Sequence, residues 1–322
     1  MCEETGRNIL KLWCKSMFNF RQSLAWKITK RNVVDPVRRV AVKIAYRGRV
    51  PLDWCMGPNW GDALNPILVE LLSGKPVLHL GGLHHNRYSV IGSILDGAND
   101  YTEVWGSGFI RENGSVIGRP RAIHAVRGPL SRTLLLKQGI ECPEVYGDPA
   151  LLLPHFFNPE VPKRYSIGII PHYIDKGSTW LERYRHDPQV LILDIESGIQ
   201  DFVHSVKSCQ VVLSSSLHGL ICADAYGVPN AWVRFSDDVV GGDFKFRDYL
   251  LSIGAGDPKP LRMTEQTELA FAVTKVEHRP LNIDLRKLIL ACPFLSENLR
   301  REVLGTGSAL GGLPERFISA SL

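Results

Sequence analysis

One stretch of this chain gathers groups that could do chemistry: Ser214-Ser215-Ser216-Leu217-His218-Gly219. It lies between an apolar run, Val211-Val212-Leu213, and a helical pattern that closes at Gly227 with Pro229 beyond it. The apolar run suits a strand covered on both faces. Ser215 or Ser216 can cap the helix that follows, and Gly227 and Pro229 end it. A strand, a serine turn and a helix in that order place hydroxyls, unsatisfied backbone N–H groups and an imidazole at one helix N-terminus, a favourable place for an anion. By themselves the residues fit equally well an ordinary βα unit with a capping serine and an incidental histidine.

The surrounding pattern alternates strands and helices. Strands are expected at 38–46, 77–80, 103–105 and 122–126, with a strand-like stretch at 89–95 and a short strand near Val145. Helices are expected at 63–72, with Pro66 in the first turn, and at 130–138. Several of these strands run into Gly81-Gly82, Gly106-Ser107-Gly108, Arg127-Gly128-Pro129 and Gly147-Asp148-Pro149. Ligands of open α/β sheets bind at such C-terminal ends. No GxGxxG with a downstream acid is present in that context, so a dinucleotide site is not indicated. Residues 154–164 are proline-rich and read as a linker. A second series follows, with strands at 165–170, 190–194, 211–213 and 231–233 and helices near 180–184 and at 199–208. Residues 241–249 read as partly loop, and 265–276 and 284–304 as helical, with a break at Pro293. The expected fold is therefore α/β, two Rossmann-like domains (36–155 and 164–283) facing a cleft. A helix at 284–304, placed to cross back to the first domain, and a loose tail at 305–322 complete it.

The chain has 322 residues, 44% of them hydrophobic, and a formal net charge of +5. That describes a folded chain of about two domains with a mild preference for anionic partners. No basic run interleaved with aromatics points to nucleic acid. The seven cysteines are scattered without a CxxC, which argues against a zinc framework or a disulfide scaffold; Cys209 and Cys222 read as core thiols. No secretory signal or membrane-spanning run is read, and a cytoplasmic location is expected. Residues 1–35 stand apart. Ile9, Trp13, Met17, Phe20, Leu24 and Ile28 form an apolar stripe among Lys11, Lys15, Arg21, Lys27, Lys30 and Arg31. Such a basic amphipathic helix either packs on protein or lies on an anionic membrane, here the inner face of a plasma membrane.

Four blocks in order carry a family resemblance. Asn59-Trp60-Gly61-Asp62-Ala63-Leu64-Asn65, Arg127-Gly128-Pro129-Leu130-Ser131, Tyr146-Gly147-Asp148-Pro149-Ala150 and Ser215-Ser216-Leu217-His218-Gly219 resemble the signatures of the polysaccharide pyruvyl transferase family. Lys245-Phe246-Arg247-Asp248-Tyr249 resembles a further KxxDY segment of some members. The resemblance implies a fold similar to GT-B glycosyltransferases, with the first domain on the acceptor side and the second on the phosphoenolpyruvate side. It also implies phosphoenolpyruvate as co-substrate and no other cofactor or metal. A pair of hydroxyls on a glycan or lipid-linked oligosaccharide would be the acceptor, and a pyruvate ketal and phosphate the products.

Such chemistry needs an acid near the donor's methylene, an anion cradle, and a base near the acceptor. On the matching positions His218 is expected as the acid or a phosphate donor. Asp62 is expected as the base, or as the cap of the following helix. Asn59 would bind the acceptor or fix its loop. Ser215, Ser216 and the backbone of Leu217, His218 and Gly219 would cradle the donor. Many members carry arginine where Ser216 stands, so the cation must come from elsewhere. Arg127 is the leading choice, Arg234 and Lys245 are lesser ones, and Asp148 and His172 are further minor candidates. His84-His85 lacks a third ligand nearby and does not read as a metal pair. Two other readings stay open: a GT-B-type glycosyltransferase using a nucleotide sugar, with Glu196 to grip a ribose, and a non-catalytic scaffold of a polysaccharide assembly complex.

Overall fold

The structure is a computed structural model that describes residues 46–81, 84–279 and 281–305. The chain divides into Met1–Arg49 and Val50–Leu322, and all the elements below belong to the second unit. The basic amphipathic segment at 1–35, nearly all of the strand expected at 38–46, and all but the first residue of the tail at 305–322 lie outside the described residues.

Two all-parallel, five-stranded sheets with flanking helices make an α/β fold. The first sheet comprises β1 (Val50–Asp53), followed by helix α1 (Trp60–Ser73), then β2 (Val77–His79), β3 (Arg87–Ser89), β4 (Thr102–Trp105) and β5 (Ala122–Ala125), in the order β2-β1-β3-β4-β5. Helix α2 (Pro129–Lys137) and a 3-10 helix at Pro149–His155 follow. The second sheet is built from β6 (Tyr165–Ile170), the short helix α3 (Thr179–Glu182), β7 (Val190–Ile192), α4 (Ile199–Ser208), β8 (Cys209–Ser214), α5 (Leu217–Ala225), β9 (Asn230–Arg234), α6 (Phe244–Ser252) and β10 (Leu261–Arg262), in the order β10-β9-β8-β6-β7. Three short helices, α7 (Leu269–Val273), α8 (Leu285–Leu290) and α9 (Glu297–Gly305), end the described chain. None of the described helices is long and apolar enough to cross a membrane.

Departures from the sequence pattern have local causes. β1 contains Pro51, which cannot donate to a ladder and so hides a central strand from sequence reading. Helix α1 starts at Trp60, not Ala63, because the Asn59 carboxamide accepts the Gly61 N–H at 3.1 Å and caps the helix there. Pro66 then falls in the second turn and deprives the Asp62 carbonyl of its partner. The Asn65 amide takes over, donating to Asp62 O at 3.2 Å. The same side chain bonds Ile91 through both its N–H and its carbonyl, at 2.9 and 3.2 Å. Asn65 thus does the work of a neighbouring strand, and of the stretch 89–95 only Ser89 is strand, while 90–94 form a pinned loop. The short strand near Val145 is a single bridge between Val126 and Tyr146. The helix expected over 265–276 is reduced to α7, and of the stretch 241–249, read as partly loop, residues 244–249 lie in α6.

One apolar core runs beneath both sheets, from Leu52, Trp60 and Leu68 to Phe202, Val212 and Leu220. Trp60 joins the halves. Its N–H donates to Ile195 O at 2.8 Å, its indole donates to Ile199 O at 3.3 Å, and its ring packs on Phe202. Trp105 donates from its indole to Leu288 O at 2.9 Å, which ties α8 to the first sheet. Cys209 and Cys222 are buried in the core.

A second tie is polar. Arg127, just beyond β5, and Asp248 on α6 are both fully buried. The guanidinium lies 3.0–3.1 Å from Asp248 Oδ2, and Ser131 donates to the same carboxylate from its N–H (2.9 Å) and its hydroxyl (2.6 Å). Gly128 permits this approach, since a Cβ there would overlap the Asp248 carbonyl. The clamp seats α6 on α2. Replacing Asp248 with Ala strands a buried guanidinium and is expected to lower the unfolding free energy by about 3–5 kcal/mol. The check is the urea midpoint at unchanged slope; a midpoint that stays put would show that the pair does not hold the helices together.

Candidate active site

The C-terminal ends of both sheets open onto one cavity of about 190 Å³. Asn59 and Asp62 reach it from α1, Ser93 and Ile94 from the pinned loop, His172 and Tyr173 from the segment after β6, Ser216, Leu217 and His218 from the start of α5, and Lys245 from α6. Each lies where a strand has just ended or a helix has just begun, the positions at which parallel sheets present ligand groups. Two larger hollows, about 600 Å³ along β5 and about 370 Å³ beside β7, contain no buried unpartnered polar atom among the described residues.

His218 is the centre of this cavity. Its Nδ1 lies 2.7 Å from Asn59 Oδ1. That oxygen already accepts the Gly61 N–H, which fixes the orientation of the carboxamide, so Nδ1 must donate. Nε2 is left as a bare lone pair, buried and without a partner. Burial, with Lys245 and Arg127 nearby, pushes the imidazole down to about 3, so it is neutral at ordinary pH. The ring lies against the backbone of Gly61, and a Cβ at that position would overlap it.

Asp62 is tuned in the opposite direction. Burial and the neighbouring Asp148 raise its carboxyl to about 7, against a smaller opposing effect of Lys245. Asp148 does not line the cavity. It caps the 3-10 helix by accepting the Ala150 N–H at 3.0 Å, is itself raised to about 6 by burial, and keeps Oδ2 unpartnered.

The remaining sequence candidates separate sharply. Ser216 lines the cavity, and the first N–H groups of α5, at Leu217, His218 and Gly219, have no intrahelical acceptor. Gly219 brings α5 close to β6 and β8, where a Cβ would overlap the Ser214 hydroxyl. Ser215, expected in the anion cradle, is spent elsewhere: its hydroxyl accepts the His172 N–H and donates to Asp175, both at 2.8 Å. Arg127, expected to fork a donor oxyanion, has its guanidinium committed to Asp248, to the Ser93 hydroxyl (2.7 Å) and to Phe109 O (2.6 Å), and it is not in the cavity wall. Arg234 pairs with Asp237 and Asp243 beside a different, small hollow. Glu196 pairs with Lys176 outside the cavity.

Lys245 is the cation in the wall. It is buried, and among the described residues no carboxylate lies within ion-pair distance of it. Burial and Arg127 push its ammonium down to about 8, while Asp62 works the other way. Ser93 and Tyr173 carry no motif and were not legible as site residues. Ser93 falls inside the stretch expected to be strand-like, 89–95, and only the end of β3 at Ser89 places it in a loop at the cavity.

Residues 109–237 match the model of a family described as polysaccharide pyruvyl transferase. A protein of Acanthamoeba polyphaga mimivirus, itself named as uncharacterized, is 34% identical over 205 residues, covering 61% of this chain and 71% of its own. The succinoglycan biosynthesis protein ExoV of Rhizobium meliloti (strain 1021) is 27% identical over 203 residues, covering 61% of this chain and 62% of its own length. A solved structure of an uncharacterized protein from Klebsiella pneumoniae aligns with a TM-score of 0.39 at 10% identity, over 72% of this chain and 99% of that one.

The close seat of His218 on Gly61 yields a test of the geometry. Gly61→Ala must push the ring away from Asn59, and a displacement on the order of 1 Å can cost about a hundredfold in turnover. The expected result is a large loss of turnover with a thermal midpoint only modestly lowered. Unchanged turnover would show that the ring's position is immaterial.

Proposed function

The chain belongs to the polysaccharide pyruvyl transferase family, and on that premise we propose that it transfers the pyruvyl carbon of phosphoenolpyruvate to two hydroxyls of a surface glycan or its lipid-linked precursor. The observation that carries this reading is the cavity's composition. An unpaired buried ammonium, a helix N-terminus, a carboxyl tuned to hold its proton and a neutral imidazole with a bare Nε2 lone pair all line a single space. Phosphoenolpyruvate needs each of them. The two-sheet arrangement is taken as GT-B-like, with a donor half (164–283) and an acceptor half (36–155). The work would be done on the cytoplasmic side, where phosphoenolpyruvate is made.

We read the tuning as favouring roles opposite to those expected from sequence. Asp62 is the acid and His218 the base. Asp62 protonates the methylene carbon of the donor, C2 becomes electrophilic, and the first acceptor hydroxyl adds there while its proton passes to His218 Nε2. His218 returns that proton to the bridging oxygen as the C2–O bond to phosphate breaks. The second hydroxyl then closes the ketal, and its proton resets Asp62. One hydroxyl proton ends in the new methyl group and the other on phosphate, so the enzyme finishes unchanged. Lys245 and the first turn of α5 hold the donor's anionic groups through the sequence. Asn59 positions His218. A nucleotide-sugar transferase finds less support, because Glu196, its ribose-gripping candidate, is tied to Lys176 away from the cavity.

The direct test incubates the protein with phosphoenolpyruvate and glycan acceptors and follows phosphate release against mass gain on the glycan. Coupled release and gain support transfer; phosphate without glycan modification contradicts it. The acid must be protonated, so kcat/KM is expected to fall above pH about 7 as Asp62 ionises and more steeply above about 8 as Lys245 loses its charge. An ascending alkaline limb would reverse the assignment. Lys245→Met is expected to raise the KM for phosphoenolpyruvate at least about tenfold, the equivalent of one lost charge-assisted contact. Lys245→Arg should stay near wild type at pH 7 and remove the upper limb. Equal KM values for Met and wild type would exclude Lys245 as the donor's cation.

A further inference from the structure

His172 lines the same cavity as His218 and holds the complementary tautomer. Its Nδ1 accepts the Ile174 N–H at 3.3 Å, capping the 3-10 turn Tyr173–Gly177, so the proton of the neutral ring belongs on Nε2. The ring is buried and packs at a 34° tilt on Tyr173 with centroids 4.2 Å apart. Burial and Lys245 push it down to about 4, which keeps it neutral.

The segment that carries His172 is latched with unusual care. The buried Asp175 carboxylate accepts the Ser215 hydroxyl on one oxygen (2.8 Å) and the Ser236 hydroxyl on the other (2.6 Å). Ser215 in turn accepts the His172 N–H at 2.8 Å. The end of β8, the loop after β9 and the turn after β6 are thereby locked together, immediately beside the first turn of α5.

We infer that His172 is a ligand of the donor's phosphate group, giving it a neutral hydrogen bond from Nε2–H beside the α5 N-terminus, and that Ser215 and Asp175 are positioning residues that aim it. The two histidines then divide their labour: His172 donates to the leaving group, and His218 receives the acceptor's proton. This rests on the functional reading above. It assigns to Ser215 a role one step removed from the anion, in place of direct contact.

The experiment measures binding of phosphoenolpyruvate, inorganic phosphate and pyruvate by calorimetry, alongside steady-state kinetics. His172→Ala is expected to weaken phosphoenolpyruvate and phosphate by about tenfold, in line with the net value of one hydrogen bond, to leave pyruvate unchanged, and to raise the KM for phosphoenolpyruvate more than it lowers kcat. His172→Gln, which keeps an N–H donor, should recover most of the affinity. Ser215→Ala should weaken phosphate in the same direction, by less. Unchanged phosphate affinity in His172→Ala overturns the inference, as does an equal loss in the Ala and Gln variants or a loss confined to pyruvate. Wild-type protein that binds phosphate and phosphoenolpyruvate but never modifies a glycan would sink the functional reading and leave the ligand assignment standing. Wild-type protein that binds neither would sink both.

Discussion

A single oxygen, Asn59 Oδ1, carries the constraint on which the site depends. It caps helix α1 in the first half by accepting the Gly61 N–H, and it accepts the His218 Nδ1–H from the second half. Because one acceptor serves both, the start of α1 and the start of α5 cannot shift independently without breaking a partly buried hydrogen bond. The same bond decides which imidazole nitrogen keeps its lone pair. Trp60, the next residue, adds its backbone and indole hydrogen bonds to the second half, so the turn that sets the tautomer is also the structural joint.

Around that joint the charges are arranged to oppose each other. Burial pushes His172 and His218 down and Asp62 and Asp148 up. The linkage consequences have opposite signs. Between pH 6.5 and about 4 the unfolded histidines bind protons that the folded ones refuse, which lowers stability as pH falls. Over much of the same range the folded carboxyls keep protons that unfolded ones release, which raises it. The two effects offset one another, so a flat acid stability profile is compatible with strongly perturbed groups. At the cavity, the same tuning leaves a carboxyl that holds its proton and an imidazole that stays neutral lining one space.

Much of the fold was legible because its signals are local. The strand at 165–170, the helix at 199–208 and the Gly227 stop after α5 follow from apolar periodicity and capping. The misses were long-range. A proline hid β1, and the side chain of Asn65 replaced a strand partner at Ile91, which no pattern in 89–95 could reveal. The site was legible as a set of motifs but not as a division of labour. Arg127 and Asp248 were both in recognisable blocks, yet only three dimensions show that they face each other, consume the guanidinium, and leave Lys245, one turn earlier on α6, as the cation of the cavity. Likewise the sequence offers Ser215 and Ser216 as interchangeable hydroxyls for the anion. In the structure Ser214 accepts the Ser216 N–H, Ser215 latches the His172 segment, and Ser216 alone of the three faces the space.

The chemistry proposed for the cavity is protonation of the methylene of phosphoenolpyruvate and attachment of its C2 to the glycan. Running the reaction in deuterium oxide and reading the product by mass spectrometry and NMR tests it most directly. That chemistry predicts one deuteron in the methyl group of each pyruvate ketal. A glycan carrying phosphate, an added group that still holds its methylene, or a ketal methyl without deuterium would contradict it.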